Sequence, residues 1–163
     1  MRVFRLALAV CFVCVLADTA PVCAQDADRP DFVGTWILDI DASSFGPSPA
    51  PDSARIVVER ADDHLVMTRV SYVRGENTVR FDMPADGEVH QATTDDGSKD
   101  ARAEWDGRAL TVWLVAEANV GDVDVTELWG IDSESGRLNI DRTIDVPGYG
   151  VFEQTLLYSK ERE

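Results

Sequence analysis

Beyond residue 24 this 163-residue chain has no cysteine, because Cys11, Cys14 and Cys23 all fall at the start. Residues 25–163 therefore form no disulfide, thiolate metal site or thiol nucleophile, and their core must hold them together alone. Histidine is almost missing too. His64 and His90 lie far apart with no second ligand at metal spacing, and no zinc motif, phosphate-binding loop or dinucleotide fingerprint occurs. We expect no cofactor and no metal. Asp95-Asp96-Gly97 and Asp132-Ser133-Glu134 lack the full ligand spacing of a calcium loop and read as turns. Positive charge is scarce: 15 Lys and Arg face 30 Asp and Glu, a formal net charge of −15. Such an excess of carboxylates repels phosphate backbones and anionic bilayers, so nucleic acid is not an expected partner. No apolar run is long enough to span a membrane, so stable insertion is not expected either, and no amphipathic helical periodicity is found after residue 24.

The first 24 residues are of a different kind. Arg2 and Arg5 precede an apolar run from Leu6 to Leu16, and Val22-Cys23-Ala24 places small residues where a signal peptidase cuts. We read residues 1–24 as a signal peptide, residues 25–31 as a flexible N-terminal segment and residues 32–163 as one domain. The expected location is secreted or periplasmic. Ala20-Pro21-Val22 is a poor lipobox before Cys23, so no lipid anchor is expected.

What remains is a repeated β pattern. Runs rich in Val, Ile, Thr, Trp and Tyr are separated by turn signals such as Gly75-Glu76-Asn77, Asp106-Gly107 and Pro147-Gly148, spaced about a dozen residues apart. The spacing predicts ten strands, near 32–40, 54–60, 64–74, 78–83, 88–93, 99–105, 108–118, 123–130, 138–146 and 151–160. The fold class is all-β: one antiparallel up-and-down meander barrel of eight to ten strands, since closure removes the two open edges of such a sheet. Residues 41–53 break the rhythm. Pro47, Pro49 and Pro51 cannot join a ladder, so this stretch reads as a loop over one barrel end, either a lid or a plug filled by Phe45.

Turn positions also give registers. Centring a hairpin on 131–137 sets Trp129 against Ile140, Val125 against Ile144, Val123 against Val146, and Glu127 against Arg142. The opposite face, Asn139-Asp141-Thr143-Asp145, must be solvent, which fixes this register. A turn at 119–122 sets Ala116 against Val125, Leu114 against Glu127 and Val112 against Trp129. A turn at 75–77 sets Val73 against Val79, Ser71 against Phe81 and Arg69 against Met83. Ala101 and Ala103 fall on the inward side, where small residues would leave space. Inward ionic groups are either paired or wet, since an unpaired buried charge costs several kcal/mol. Glu127 and Arg142 are thus a structural cross-strand pair, or Arg142 and Arg69 hold an anionic head group whose tail lies among apolar neighbours. Arg69, Leu114, Glu127, Trp129 and Arg142 are the candidate lumen residues. An arginine partner would lower the pKa of Glu127 and weaken it as a general base.

Gly34-Thr35-Trp36, on the first strand of a meander, resembles the G-x-W signature of lipocalins and the wider calycin group. The likeness extends loosely through "EWDGRALTVW" to the final "LLYSK". It implies a barrel whose end is closed by Trp36, with Gly34 allowing close approach and Lys160 or Arg162 packing across the indole. It also implies a cavity for a small hydrophobic or amphipathic molecule. The chain departs from lipocalins in its strand count, its missing cysteines and its missing helix. A ten-strand barrel similar to the fatty-acid-binding proteins fits the count but not their helical lid. The function read from these residues is an exported binder or carrier, not expected to be an enzyme. A lumen-based isomerase or cyclase using Glu127 is one alternative. The other is a structural or inhibitory module with a filled barrel, presenting Phe152, Leu156 and Tyr158 on the outer face of the last strand.

Overall fold

The structure, a computed structural model, describes residues 29–118 and 121–162; the expected signal peptide lies outside them. The strands are β1 (Gly34–Leu38), β2 (Ser53–Ala61), β3 (His64–Tyr72), β4 (Glu76–Met83), β5 (His90–Thr94), β6 (Gly97–Asp106), β7 (Ala109–Ala118), β8 (Gly121–Ile131), β9 (Leu138–Val146) and β10 (Gly150–Lys160). Each pairs with its neighbour in sequence, and β1 pairs with β10, giving one closed ten-stranded barrel with no helix among the described residues. Ten strands, not eight, close the ring.

Alternation places the core. On β8, Val123, Val125, Glu127 and Trp129 are buried while Asp122, Asp124, Thr126 and Leu128 are exposed, so every second side chain enters the barrel. The β8–β9 register is the expected one, with Glu127 opposite Arg142 and Trp129 opposite Ile140. The other two expected registers are displaced. In β7–β8, Leu114 faces Val125 and Val112 faces Glu127, because the ladder runs on until Ala118 faces Gly121. In β3–β4, Arg69 faces Val79 and Met67 faces Phe81, because the turn closes over residues 73–75. Arg74 and Gly75 both adopt positive φ there, 58° and 153°. Both slips are even, so the same side chains still face inward.

The last strand also corrects the sequence reading. Phe152, Leu156 and Tyr158 face the barrel interior, with Leu156 and Tyr158 at 2% and 1% exposure, so they do not form an outer patch, and Gln154 points inward between them. Ala101 and Ala103 are fully packed rather than bordering space. The proline-rich loop leaves β1 and runs beside β10 to one barrel end. Ser44 and Thr155 exchange backbone hydrogen bonds of 2.8 and 2.9 Å, and Leu157 N–H donates to the Ser43 hydroxyl at 3.0 Å. Gly46 (φ 57°) approaches so closely that a Cβ there would lie 2.7 Å from the Glu153 carbonyl oxygen.

The opposite end is sealed by aromatic rings. Phe32 stacks on Trp105 (centroids 5.7 Å apart) and meets Trp129 edge-on at 5.8 Å. The Trp36 indole N–H donates to the Phe32 carbonyl at 2.8 Å. Lys160, directly opposite Trp36 in the β1–β10 ladder, places its Nζ 5.3 Å from the indole centroid. Gly34 makes that crossing possible: a Cβ at position 34 would sit 2.5 Å from Lys160 Cε.

Candidate functional site

Halfway along the lumen stand three charged side chains that strand alternation forces inward. Glu127 on β8 has no exposed surface. Arg142 reaches it from the adjacent β9, with Nε donating to Oε1 at 2.8 Å and Nη2 2.7 Å from the same oxygen. Arg69 reaches it from β3, which lies five strands away in either direction round the ring. Its Nη1 donates to Oε1 at 2.8 Å and its Nη2 to Oε2 at 2.6 Å, a bidentate fork spanning the barrel. The Trp129 indole N–H donates to Oε2 at 2.9 Å. Arg142 also donates from Nη1 to the Gln154 side-chain carbonyl at 3.2 Å, and Gln154 Nε2 donates to the Phe45 backbone carbonyl at 3.0 Å.

The electrostatics follow from burial and charge together. Burial alone would raise the Glu127 pKa, but the Arg69 and Arg142 charges, with hydrogen bonds from Arg69 and Trp129, hold it down at about 2. Burial would lower the Arg69 pKa, and the Glu127 charge reverses this and raises it. Burial raises the Tyr158 hydroxyl against the pull of both arginines. Two guanidiniums share one carboxylate, so the cluster carries one surplus positive charge. The Nε of Arg69 is buried without a hydrogen-bond partner.

This cluster floors a cavity of about 670 Å³ at the loop-covered end. Its walls include Val79, Leu114, Val125 and Ile144, its mouth includes Pro47, Pro49, Asp95 and Asp96, and Arg69 and Arg142 both line it. A smaller space of about 270 Å³ continues beneath the loop beside Phe45, Gln154 and Tyr158, sharing Ser48, Pro49, Arg69 and Arg142 with the first. Of the five lumen residues named from sequence, Arg69, Leu114 and Arg142 line the cavity. Glu127 and Trp129 lie beneath its floor, Glu127 as the anchor of both arginines and Trp129 in the aromatic seal. Gly34, Trp36 and Lys160 meet at the sealed end. Gln154 was missed, because only the β9–β10 register sets it opposite Arg142.

His64 and His90 border one shallow groove on the outside of the barrel, and His90 Nε2 lies 3.0 Å from the Asp86 carboxylate. Among the described residues no group of three or more His, Cys, Asp or Glu is arranged to hold a metal.

The Glu127 pKa carries a stability prediction. A carboxylate held at about 2, against 4.5 unperturbed, contributes stability that is fully present above pH 4.5 and is lost as pH falls toward 2. The loss is about 3 kcal/mol. Urea unfolding at pH 7 and pH 3 should differ by the part already lost at pH 3, about 2 kcal/mol, and equal midpoints would contradict the assignment.

No family model matches this chain, and neither does any curated protein. Among solved structures it is similar to a zebrafish ileal bile acid-binding protein complexed with cholic acid. That match has 16% sequence identity, covers 80% of this chain and 98% of that one, and has a TM-score of 0.54. What the likeness shows is the fold: this chain is a closed antiparallel barrel of ten strands.

Proposed function

We propose that the protein binds one small amphipathic anion in this cavity, with its head group on Arg142 and Arg69 and its apolar body against Val79, Leu114, Val125 and Ile144. The observation that carries this reading is the surplus guanidinium charge at the floor of an apolar cavity of about 670 Å³. A single surplus charge suits a monoanion such as a carboxylate or sulfonate, and the volume suits a ligand of drug or lipid size. The fold is shared with a barrel complexed with cholic acid, itself an amphipathic acid, which supports the same reading. The leader-like residues 1–24 support an exported carrier. Glu127, held at about 2 and enclosed by three donors, lacks the basicity and the access of a general base, so binding is favoured over lumen catalysis.

A matched pair of dyes tests this: 8-anilinonaphthalene-1-sulfonate, and the neutral N-phenyl-1-naphthylamine, which lacks the sulfonate. Both should brighten in the cavity. Arg142→Met keeps the Arg69–Glu127 fork and should weaken the sulfonate by roughly 10- to 100-fold, the worth of a hydrogen bond to a charged group, while changing the neutral dye less than about threefold. Absence of binding by either dye, or equal weakening of both, would refute the proposal.

A further inference from the structure

The lid over the mouth is wired to the head-group site through one neutral side chain. Gln154 is 6% exposed and accepts from Arg142 Nη1 at 3.2 Å while donating to the Phe45 carbonyl at 3.0 Å. Phe45 begins the stretch whose Pro47, Ser48 and Pro49 line the cavity mouth. The other hydrogen bonds that tie residues 39–46 to β10, at Asp39, Ser43 and Ser44, are all made to or through backbone, and none touches the charged cluster.

We propose that Gln154 is an anion-released latch: a ligand anion arriving at Arg142 takes Nη1 from the Gln154 carbonyl, the amide turns away, and the Phe45 anchor of the mouth loop is released with it. This rests on the binding mode proposed above and names what that mode does to the entrance. The exchange favours the ligand. Nε and one hydrogen of Nη2 of Arg142 are committed to Glu127, so an anion forking onto the Nη1–Nη2 edge competes on Nη1 with a neutral acceptor at the longest distance in the cluster. Both bonds have a cationic donor, but an anionic acceptor adds the attraction of opposite charges that the neutral amide lacks. A neutral ligand of the same shape has no means of displacing Gln154. The anion thus binds the loosened state better than the latched one, which is the condition for any ligand to shift such an equilibrium. By the same linkage the loosened state holds anions more tightly than the latched one. Gln154 is a positioning residue for Arg142 and for the loop, and it sets a preference for charged over neutral ligands at the entrance.

Hydrogen exchange of the loop amides with the same two dyes reads this directly. With the sulfonate dye at saturation, the Ser44 and Ser48 amides, bonded to Thr155 and Phe45 carbonyls, should exchange roughly 5- to 10-fold faster than in the free protein. With the neutral dye they should stay at the free-protein rate. In Gln154→Leu the two amides should already exchange fast, with no further sulfonate effect. A merely structural glutamine would give an equal response to both dyes. Sulfonate brightening without a loop response, or a sulfonate-specific response surviving in Gln154→Leu, would overturn the latch while leaving the binding mode standing. Failure of the sulfonate dye to occupy the cavity would overturn both. The wild-type comparison between dyes decides the question even where the leucine variant does not fold.

Discussion

Glu127→Leu is expected to destabilise the barrel by about 3–5 kcal/mol, the largest single effect among its charged residues. The substitution removes no large volume. Its cost comes from Arg69, which is 8% exposed and loses both acceptors of its fork, and from Arg142, which loses its hold on Oε1. Two guanidiniums would then face each other in the lumen. Replacing the whole cluster has a different sign. A triple variant, Arg69→Met, Glu127→Leu and Arg142→Met, exchanges three desolvated charges for apolar bulk and should recover most of the loss, because buried ion clusters seldom outperform well-packed hydrophobic residues. Urea unfolding of the single and triple variants checks both statements. The triple variant also separates structure from function. It should fold and still take the neutral dye, yet lose the sulfonate preference. A triple variant as unstable as Glu127→Leu would mean that the cluster specifies the fold itself, and the case for a binding site would weaken accordingly.

Some of this cluster was legible in the sequence, and the rest was hidden for a physical reason. The Glu127–Arg142 pair could be read because Asn139, Asp141, Thr143 and Asp145 mark the outer face of β9 without ambiguity, so a one-residue slip would bury aspartates. Alternation fixes the face, however, and not the stagger. That is why the β7–β8 and β3–β4 registers were displaced by even steps while every inward residue stayed inward. In β3–β4 the turn depends on Arg74 in a left-handed conformation, which a non-glycine residue seldom advertises. The observed register sets Arg69 opposite Val79, a wall of the cavity, and not opposite Met83 near the sealed end. No hairpin links β3 to β8. Their meeting is a consequence of closure, five strands round the ring, and closure is a property that local pattern implies only in outline. The same applies to Gln154, which no sequence pattern singles out and which the β9–β10 ladder sets opposite Arg142.

Closure itself depends on a short seam, and Trp36→Ala should cost about 3–5 kcal/mol there. β1 has five residues and pairs with β10 at three positions, Trp36–Lys160, Ile37–Ser159 and Leu38–Tyr158. Glu161 N–H to the Thr35 carbonyl and Asp39 N–H to the Leu157 carbonyl, both 2.8 Å, extend that ladder by one residue at each end, and side-chain burial adds to it. Trp36 is 1% exposed, and its indole N–H supplies the bond that fixes Phe32, the ring that covers Trp105 and Trp129. Removing it takes out a large buried volume, one buried hydrogen bond and the support of the aromatic seal together. Trp36→Phe keeps most of the volume and should cost about 1–2 kcal/mol, chiefly the bond to the Phe32 carbonyl. Lys160→Ala removes a contact at an exposed site and should cost less than about 1 kcal/mol. Melting temperatures should follow that order, with the alanine variant at position 36 lower by roughly 10–20 °C. Hydrogen exchange should then localise the damage to Gly34–Leu38 and the facing half of β10, because an opened seam restores two free edges where the wild type has none. An equal cost for Trp36→Phe and Trp36→Ala would place the energy in the indole N–H bond and not in burial. A Lys160→Ala variant as damaged as Trp36→Ala would place it in the cation instead. The expected ordering says that the tryptophan closes this barrel by filling its end, with the glycine beside it making room for a lysine whose contribution is the smallest of the three.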